Sequence, residues 1–300
     1  MGKKNLAVFY IIAAGVLWGC IGLFVRTMNG WGISSMELVA LRSFVTAIIM
    51  FFVLLIKDRK LLKIKLKHLW CFIGTGILSV NFFNFCYFKT ITLASLSVAA
   101  VLLYTAPAIV MVLSFFLFRE KFTKRKVISL VMTFVGCAFV TGLIGSKVSM
   151  TPMSILTGLG AGLGYALYSI FSRYAIERGY GSFTITFYTF LIAAIGSLFI
   201  SDAKSVVQAA TVSPKCILIS VGFGIVSTVL PYLFYTAGLK EVENGKASII
   251  VSVEPVTATI LGLIVFSEPF TFNGIIGIVL VIAALVICNV EGKKNENSSN

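Results

Sequence analysis

The chain has 300 residues, of which 58% are hydrophobic and 12% charged, and its formal net charge at pH 7 is +14. Soluble domains average roughly 45–50% apolar and 25% charged residues, so this composition excludes an ordinary soluble domain. Apolar runs of about 20 residues recur along the chain, and each can cross a hydrocarbon core roughly 30 Å thick as a helix. Backbone groups in lipid must be satisfied within their own segment, and the short alternating segments of a β-barrel are absent. The sequence therefore predicts an all-α polytopic membrane protein.

Ten spans are predicted, joined by loops too short to hold a soluble domain. They lie near residues 6–26, 35–56, 69–88, 95–118, 127–144, 153–174, 182–200, 215–237, 246–266 and 272–290. With the N-terminus inside, nineteen Lys and Arg residues fall on the cytoplasmic side and five on the outer side. This bias sets the orientation, because positive charge is retained in the cytoplasm. We therefore expect a cell-membrane protein with both termini cytoplasmic. The basic excess then reflects topology, and no nucleic-acid partner is expected.

The sequence repeats itself at half its length. At a constant offset of 148 the identical pairs include Pro107 with Pro255, Phe118 with Phe266, Glu120 with Glu268, Gly74 with Gly222, Gly76 with Gly224 and Tyr87 with Tyr235. At an offset of 147, Trp18 corresponds to Tyr165 and Arg26 to Arg173. A match at a fixed period indicates an internal duplication.

Each half of the duplication holds five spans, an odd number, so the second half enters the membrane inverted. We predict one five-helix repeat at residues 1–147, an inverted repeat at 148–291 and a disordered cytoplasmic tail at 292–300. Two inverted repeats are the scaffold of alternating access, in which rocking one half against the other exposes a midplane site to each side in turn.

These features resemble the drug/metabolite transporter superfamily, in particular the ten-helix EamA type. The residues that carry the resemblance are Pro107 with Glu120, Glu254–Pro255 with Glu268, Trp18–Gly19 and Leu41–Arg42. The resemblance covers about residues 6–290. It implies a central cavity between spans 1–4 and 6–9, with spans 5 and 10 peripheral, where they support the bundle or dimerise. It also implies that many bacterial members export metabolites, among them amino acids, sugars, nucleotides and choline-like cations.

Two charged residues lie inside predicted spans, where an unpaired central charge costs roughly 2.5–3.5 kcal/mol. Glu254 sits beside Pro255, which removes a backbone donor and opens the helix. It could bind a cationic group, carry a coupling proton, or be a protonated structural residue. Arg42 could snorkel to the outer face or bind a substrate carboxylate. Their counterparts are Ala106 and Thr189, so each charge occurs in one half only, which favours function.

Amides and aromatic residues complete the predicted site. Asn81 and Asn84 lie three apart on one face of span 3, where amides in lipid need partners. The expected substrate-binding set is Trp18, Arg42, Asn81, Asn84, Tyr104, Tyr165, Tyr168, Tyr188, Tyr232 and Glu254. Packing is the alternative role for the aromatic members. Glu120 and Glu268 are interpreted as structural residues that bond loop donors.

No phosphate-binding loop, metal-ligand set or nucleophile–base pair is visible, so we expect neither an enzyme nor a cofactor. The predicted function is secondary transport of a small polar or zwitterionic metabolite such as an amino acid, with export as the expected direction. Its predicted partners are that metabolite, a coupling proton, the bilayer and a second copy of the chain. One alternative is transport of choline-like cations by an aromatic box. Another is a membrane sensor that transports nothing.

Overall fold

The computed structural model describes residues 2–144, 150–201, 203–211, 213–268 and 271–289, and every regular element in them is a helix. Eight helices are long and apolar enough to cross a membrane, and a ninth apolar helix, Ser182–Ser197, is shorter. This confirms the polytopic all-α class. The count of ten crossings and the inverted repeat stay predictions. The predicted tail at 292–300 lies outside the described residues.

The helices follow the predicted spans closely. In chain order they are α1 (Lys3–Asn29), α2 (Ser35–Lys57), α3 (Leu66–Leu93), α4 (Leu96–Phe118), α5 (Lys124–Val140), α6 (Pro152–Glu177), α7 (Ser182–Ser197), α8 (Pro214–Gly238), α9 (Asn244–Phe266) and α10 (Phe272–Asn289). A short helix, Ala203–Thr211, connects α7 to α8.

Local sequence explains where these helices begin and end. Ser34 caps α2 by accepting from the Glu37 amide, while the Glu37 carboxylate accepts from the Ser34 amide, a reciprocal capping box. The helices α4 and α9 both end at a residue in the left-handed region, Arg119 (φ 58°) and Ser267 (φ 52°). These two residues are also 148 apart, so the duplicated halves stop the same helix in the same way.

Several helices are interrupted inside the bundle, at corresponding places in the two halves. A turn at Tyr104 and Thr105 divides α4, and a 3₁₀ turn at Val251–Val253 divides α9. In α3 and α8 the residues Gly74–Asn81 and Ile225–Val229 form π-helix. Such widened turns leave the regular hydrogen-bond ladder and occur often at functional sites.

The helices of the two halves are interleaved. The first helix, α1, packs against α8 and α9, as α6 packs against α3 and α4, and α2 packs against α7. The helices α5 and α10 pack mainly on each other. They approach closely, since a Cβ on Gly277 would lie 2.6 Å from the Gly136 carbonyl oxygen. The central part of the bundle is therefore formed by α1–α4 and α6–α9.

Candidate functional site

Glu254 begins the second half of α9, directly after the break at Val251–Val253. Free amide groups at a helix start carry partial positive charge, which favours a carboxylate there. Gly19 lets α1 come close, because a Cβ at Gly19 would lie 2.8 Å from the Glu254 carbonyl oxygen. The Glu254 carboxylate is half-buried and accepts a 3.1 Å hydrogen bond from the Tyr165 hydroxyl. It has no ion-pair partner among the described residues.

An aromatic cluster adjoins this carboxylate. The Trp18 ring lies 6.2 Å from that of Tyr165, 5.1 Å from Tyr232 and 5.4 Å from Tyr235, measured between centroids. Tyr168 stands edge-on to Tyr232 at 4.8 Å. These rings come from α1, α6 and α8, so the cluster joins both halves of the chain.

Tyrosines from several helices lie near Glu254. Tyr87, Tyr104 and Tyr232 lie within electrostatic range of its carboxylate, in addition to the bonded Tyr165. Tyr104 is buried on its other side against Cys137 of α5, together with Val256 and Val281. Oriented aromatic rings and a carboxylate are the groups that recognise an ammonium or quaternary ammonium ion.

Arg42 is the second charge, and its side chain is 95% buried, since only 5% of its surface is exposed. Its Nη2 donates to the Asn84 Oδ1 over a long 3.5 Å, and its guanidinium carbon lies 5.9 Å from the Phe223 ring centre. Its Nε has no partner, and no carboxylate among the described residues pairs with it. The guanidinium is therefore held inside the protein and does not snorkel to the bilayer surface.

Buried hydroxyl groups that make no hydrogen bond in the described part of the chain lie about one helical turn from Arg42 and from Phe223. Thr46 follows Arg42 by four residues on α2, and Ser227 follows Phe223 by four on α8. The hydroxyls of Thr46, Ser227 and Thr228 are buried and make no hydrogen bond within the described residues. Serine and threonine hydroxyls in helices commonly bond the carbonyl one turn back, as Ser43 and Ser220 do here.

The two charges share one neighbour. Tyr232 lies within electrostatic range of both Arg42 and Glu254, and it contacts Trp18. Tyr232 follows the π-helical part of α8, and Asn84 follows that of α3 at the equivalent position. The site thus has a cationic end at Arg42 and an anionic end at Glu254, with Tyr232 near both.

Two predicted site residues lie elsewhere. Tyr188 packs against Phe72 and Phe187, and its hydroxyl donates to the Leu62 carbonyl oxygen at 2.5 Å. Asn81 donates to the Ala193 carbonyl at 3.1 Å and lines a groove between α3 and α7. The structure brings the other eight together: Trp18, Arg42, Asn84, Tyr104, Tyr165, Tyr168, Tyr232 and Glu254.

Tyr87 and Tyr235 belong to the cluster, although the sequence interpretation did not assign them to the site. Tyr87 is near Glu254, and the Tyr235 hydroxyl shares a 2.8 Å hydrogen bond with Ser169. The two tyrosines are 148 residues apart. Identity at equivalent positions of the two halves was the signal that could have found them.

The fold and this site define a polytopic membrane protein built around an internal polar site, the architecture of helical transporters. A family model described as the EamA-like transporter family matches residues 5–142 and again residues 152–290. The chain belongs to the EamA-like transporter family.

Similar proteins cover nearly the whole chain. An uncharacterized transporter of Archaeoglobus fulgidus is 28% identical over 289 residues, which is 92% of this chain and 94% of that protein. The uncharacterized transporter YxxF of Bacillus subtilis is 27% identical over 300 residues, 98% of this chain and 93% of that protein. A solved crystal structure shares the fold at a TM-score of 0.78 and 18% identity, covering 94% of this chain and 96% of its own.

Proposed function

We propose that the chain is a secondary transporter of a small zwitterionic metabolite of the amino-acid type. The substrate ammonium binds Glu254 and the surrounding tyrosines, and the substrate carboxylate binds Arg42. The two inverted halves expose this site to opposite sides of the membrane in turn. The Glu120 end of α4 faces the cytoplasm, and the direction of net transport is export.

The observation that carries the proposal is the presence of two opposite charges that do not pair with each other. Removing a charge from water costs several kcal/mol unless it gains a partner. Arg42 has one long hydrogen bond, and Glu254 has one hydrogen bond and is half-buried. A ligand that carries both charges would complete both ends of the site at once. Thr46, Ser227 and Thr228 offer additional hydroxyls on α2 and α8, the helices that carry Arg42 and its contact Phe223.

A coupling proton is a second role for Glu254. The titratable neighbours of its carboxylate among the described residues are tyrosines and one cysteine, which keep their protons near neutral pH. These neighbours are Tyr87, Tyr104, Cys137, Tyr165 and Tyr232. Glu254 is therefore the group in this cluster that can exchange a proton during transport.

The tyrosines around Glu254 also favour a second candidate, transport of a choline-like cation. Such a ligand needs the carboxylate and the aromatic rings but not the guanidinium. The two candidates therefore differ in whether binding requires Arg42.

A thermal-unfolding screen of the purified protein against amino acids, amines and quaternary ammonium compounds tests both. A ligand that binds only the folded state raises the melting temperature by mass action. At a concentration 100 times its dissociation constant, it adds about 2.7 kcal/mol to the free energy of unfolding. We expect amino-acid hits that disappear in Arg42→Gln and in Glu254→Gln. Tyr188→Phe, which removes a bonded hydroxyl outside the cluster, is the matched control and should keep them.

Other outcomes have equally clear meanings. Quaternary-ammonium hits that survive Arg42→Gln would replace the zwitterion by a cation. The absence of any ligand-dependent shift, together with no flux in liposomes, would support the sensor alternative and overturn the transport proposal.

A further inference from the structure

The two ends of the bundle are held in different ways, and the Glu120 end is tightly bonded. The Glu120 carboxylate accepts backbone hydrogen bonds from Asn244 at 2.7 Å and Gly245 at 3.0 Å, the first residues of α9. Its side chain is 9% exposed, and the Lys126 ammonium lies 3.9 Å away. The end of α4 is thereby fixed to the start of α9.

Further bonds reinforce the same end. Arg173 of α6 donates from Nε to the Asn244 Oδ1 at 3.1 Å and from Nη2 to the Val242 carbonyl at 2.6 Å. Lys126 also pairs with Glu243. The first half of α9, Asn244–Ile250, packs against the second half of α4, Ala106–Phe118. This end of the site is closed.

The equivalent residues at the other end make different contacts. The duplication relates Glu120 to Glu268, Arg173 to Arg26, and the pair Asn244–Gly245 to Leu96–Ser97. Glu268 instead pairs with Arg26 at 2.6 Å, and these side chains are 41% and 49% exposed. The backbone amides of Leu96 and Ser97 at the start of α4 have no acceptor among the described residues. The closed contact has not formed here.

The neighbouring helices show the same difference. Ser169 of α6 is buried and bonds Tyr235, whereas its counterpart at an offset of 147, Gly22 of α1, is exposed. A Cβ added to Gly22 would meet no heavy atom within 4 Å. The helix α6 is continuous, but α1 is interrupted at Cys20. The region between α1 and the start of α4 is therefore open at the Glu268 end.

We propose that each end of the site has a gate, and that a carboxylate at the end of α4 or α9 holds it closed. We call this carboxylate with its hydrogen bonds a latch. Glu120 forms the latch that is closed in this structure, and Glu268 closes the opposite gate by repeating the contacts of Glu120. On closing, the Glu268 carboxylate accepts the amides of Leu96 and Ser97, and Arg26 donates to the Ala94 carbonyl, the counterpart of Val242. The inference rests on the alternating access proposed above and adds the residues that hold each end. One latch releases as the other forms.

The latches are unequal, which explains why the structure is closed at the Glu120 end. Lys126 hydrogen-bonds Glu243 and forms a longer ion pair with Glu120, whereas its counterpart at an offset of 148 is Gly274. The Glu120 latch therefore has an ammonium group that the Glu268 latch lacks. Hydrogen bonds to charged groups are stronger than neutral ones, so the unliganded protein should rest in this state.

A cysteine reporter at Gly22 tests the proposal without any substrate. Five of the six native cysteines are buried, so Cys20→Ser provides the background for Gly22→Cys. We measure its rate of labelling by a hydrophilic maleimide in proteoliposomes. To weaken a latch, we replace its glutamate by glutamine, which has the same shape. One carboxylate oxygen then becomes an NH2 donor, which cannot accept a hydrogen bond from a backbone amide.

We expect Glu120→Gln to slow labelling about tenfold, because weakening that latch lets the Glu268 end close over residue 22. The double variant Glu120→Gln with Glu268→Gln should regain most of the parent rate, because both latches are then weakened and the Lys126–Glu243 pair still favours closure at the Glu120 end. Unfolding temperatures of all variants establish that they are folded. If Glu268 had a purely structural role, adding Glu268→Gln would not restore the labelling rate that Glu120→Gln had lowered.

Two results would overturn the latch: an unchanged rate in Glu120→Gln, or a double variant as slow as Glu120→Gln alone. Flux assays on the same preparations separate this proposal from the proposed function. Expected labelling without flux would retain the latch and reject transport, and flux with unchanged labelling would retain transport and reject the latch.

Discussion

At the scale of single residues, Glu254 combines features that rarely occur together inside a membrane protein. It begins a helix segment, where backbone amides favour negative charge, yet its side chain receives one hydrogen bond, from Tyr165. A purely structural carboxylate at this depth would be expected to find more partners. The first half of the chain has Ala106 at the equivalent place, so the fold itself does not require a carboxylate.

Glu254→Gln should therefore impair transport without unfolding the protein. The amide keeps an acceptor for the Tyr165 hydroxyl but can neither attract an ammonium group nor exchange a proton. We expect flux to fall at least about tenfold, the loss of one charged contact, and its pH dependence to disappear. Flux measured in liposomes across a pH series tests this. Glu241→Gln, an exposed carboxylate outside the cluster, should behave as the parent protein.

Full flux with an unchanged pH profile in Glu254→Gln would remove this residue from the mechanism. Loss of flux with a retained pH profile would keep Glu254 as a binding group and place proton coupling elsewhere.

The sequence shows which residues are unusual in a membrane span better than it shows where each one lies along its helix. A charged residue in an apolar span is conspicuous, so the sequence singles out Glu254 and Arg42, and in the structure both lie near Tyr232. Tyr188 was not separable from the other tyrosines, because its role depends on where α7 begins. That helix starts at Ser182, which places Tyr188 less than two turns from its end, within reach of the Leu62 carbonyl. Contacts with loops decide where a helix begins and ends, and the hydrophobic periodicity of the sequence does not show these contacts.

At the scale of helices, the sequence predicted one kind of interruption and missed another. Pro255 lacks an amide hydrogen, and the break before Glu254 follows from this. The π-helical part of α3, Gly74–Asn81, contains no proline. It instead packs against α6 and α7 from the other half of the chain. Such a widened turn depends on long-range contacts, which a local pattern does not record.

Gly277→Ala should destabilise the contact between α5 and α10. The new methyl group would lie 2.6 Å from the Gly136 carbonyl oxygen, a backbone atom that moves only with its helix. Overpacking of this kind costs about 1–3 kcal/mol, so the melting temperature should fall. These helices contact the site behind Tyr104, through residues such as Cys137 and Val281, and Gly277 is not among those residues. Ligand-dependent stabilisation should therefore persist.

Gly222→Ala in α8 is the matched control. Its added methyl group would meet a single atom, Cε1 of Phe24 at 3.6 Å, which is ordinary contact. Alanine is the better helix former by about 1 kcal/mol, so the melting temperature should stay or rise. Equal losses in both variants would show that the close approach of α5 and α10 is not the cause.

At the scale of the whole molecule, the candidate site exists only where the two halves meet. Trp18 and Arg42 come from the first half, whereas Tyr165, Tyr232 and Glu254 come from the second. A movement of one half relative to the other would therefore change the separation of the two charges. Binding and conformational change are linked in such an arrangement, because a ligand stabilises whichever arrangement it fits best.

The inverted orientation of the halves can be tested with one pair of positions. Thr92 lies in the last turn of α3 and Lys240 follows α8, and both are exposed and 148 residues apart. If each half has five crossings, these equivalent positions lie on opposite sides of the membrane. In the Cys20→Ser background, Thr92→Cys should react with an impermeant maleimide in intact cells. Lys240→Cys should react only after the cells are permeabilised.

The sign of this result follows from charge. Basic residues are concentrated at the ends of α2 and α4, and the positive-inside bias predicts that these ends and the loop after α8 face the cytoplasm. Labelling of both cysteines from outside would mean that the halves are parallel, and the correspondence between Glu120 and Glu268 would then place both latches at one face. Labelling of Lys240→Cys alone would preserve the inversion but reverse the orientation. The pair therefore tests the topology on which the alternating site and its two gates depend.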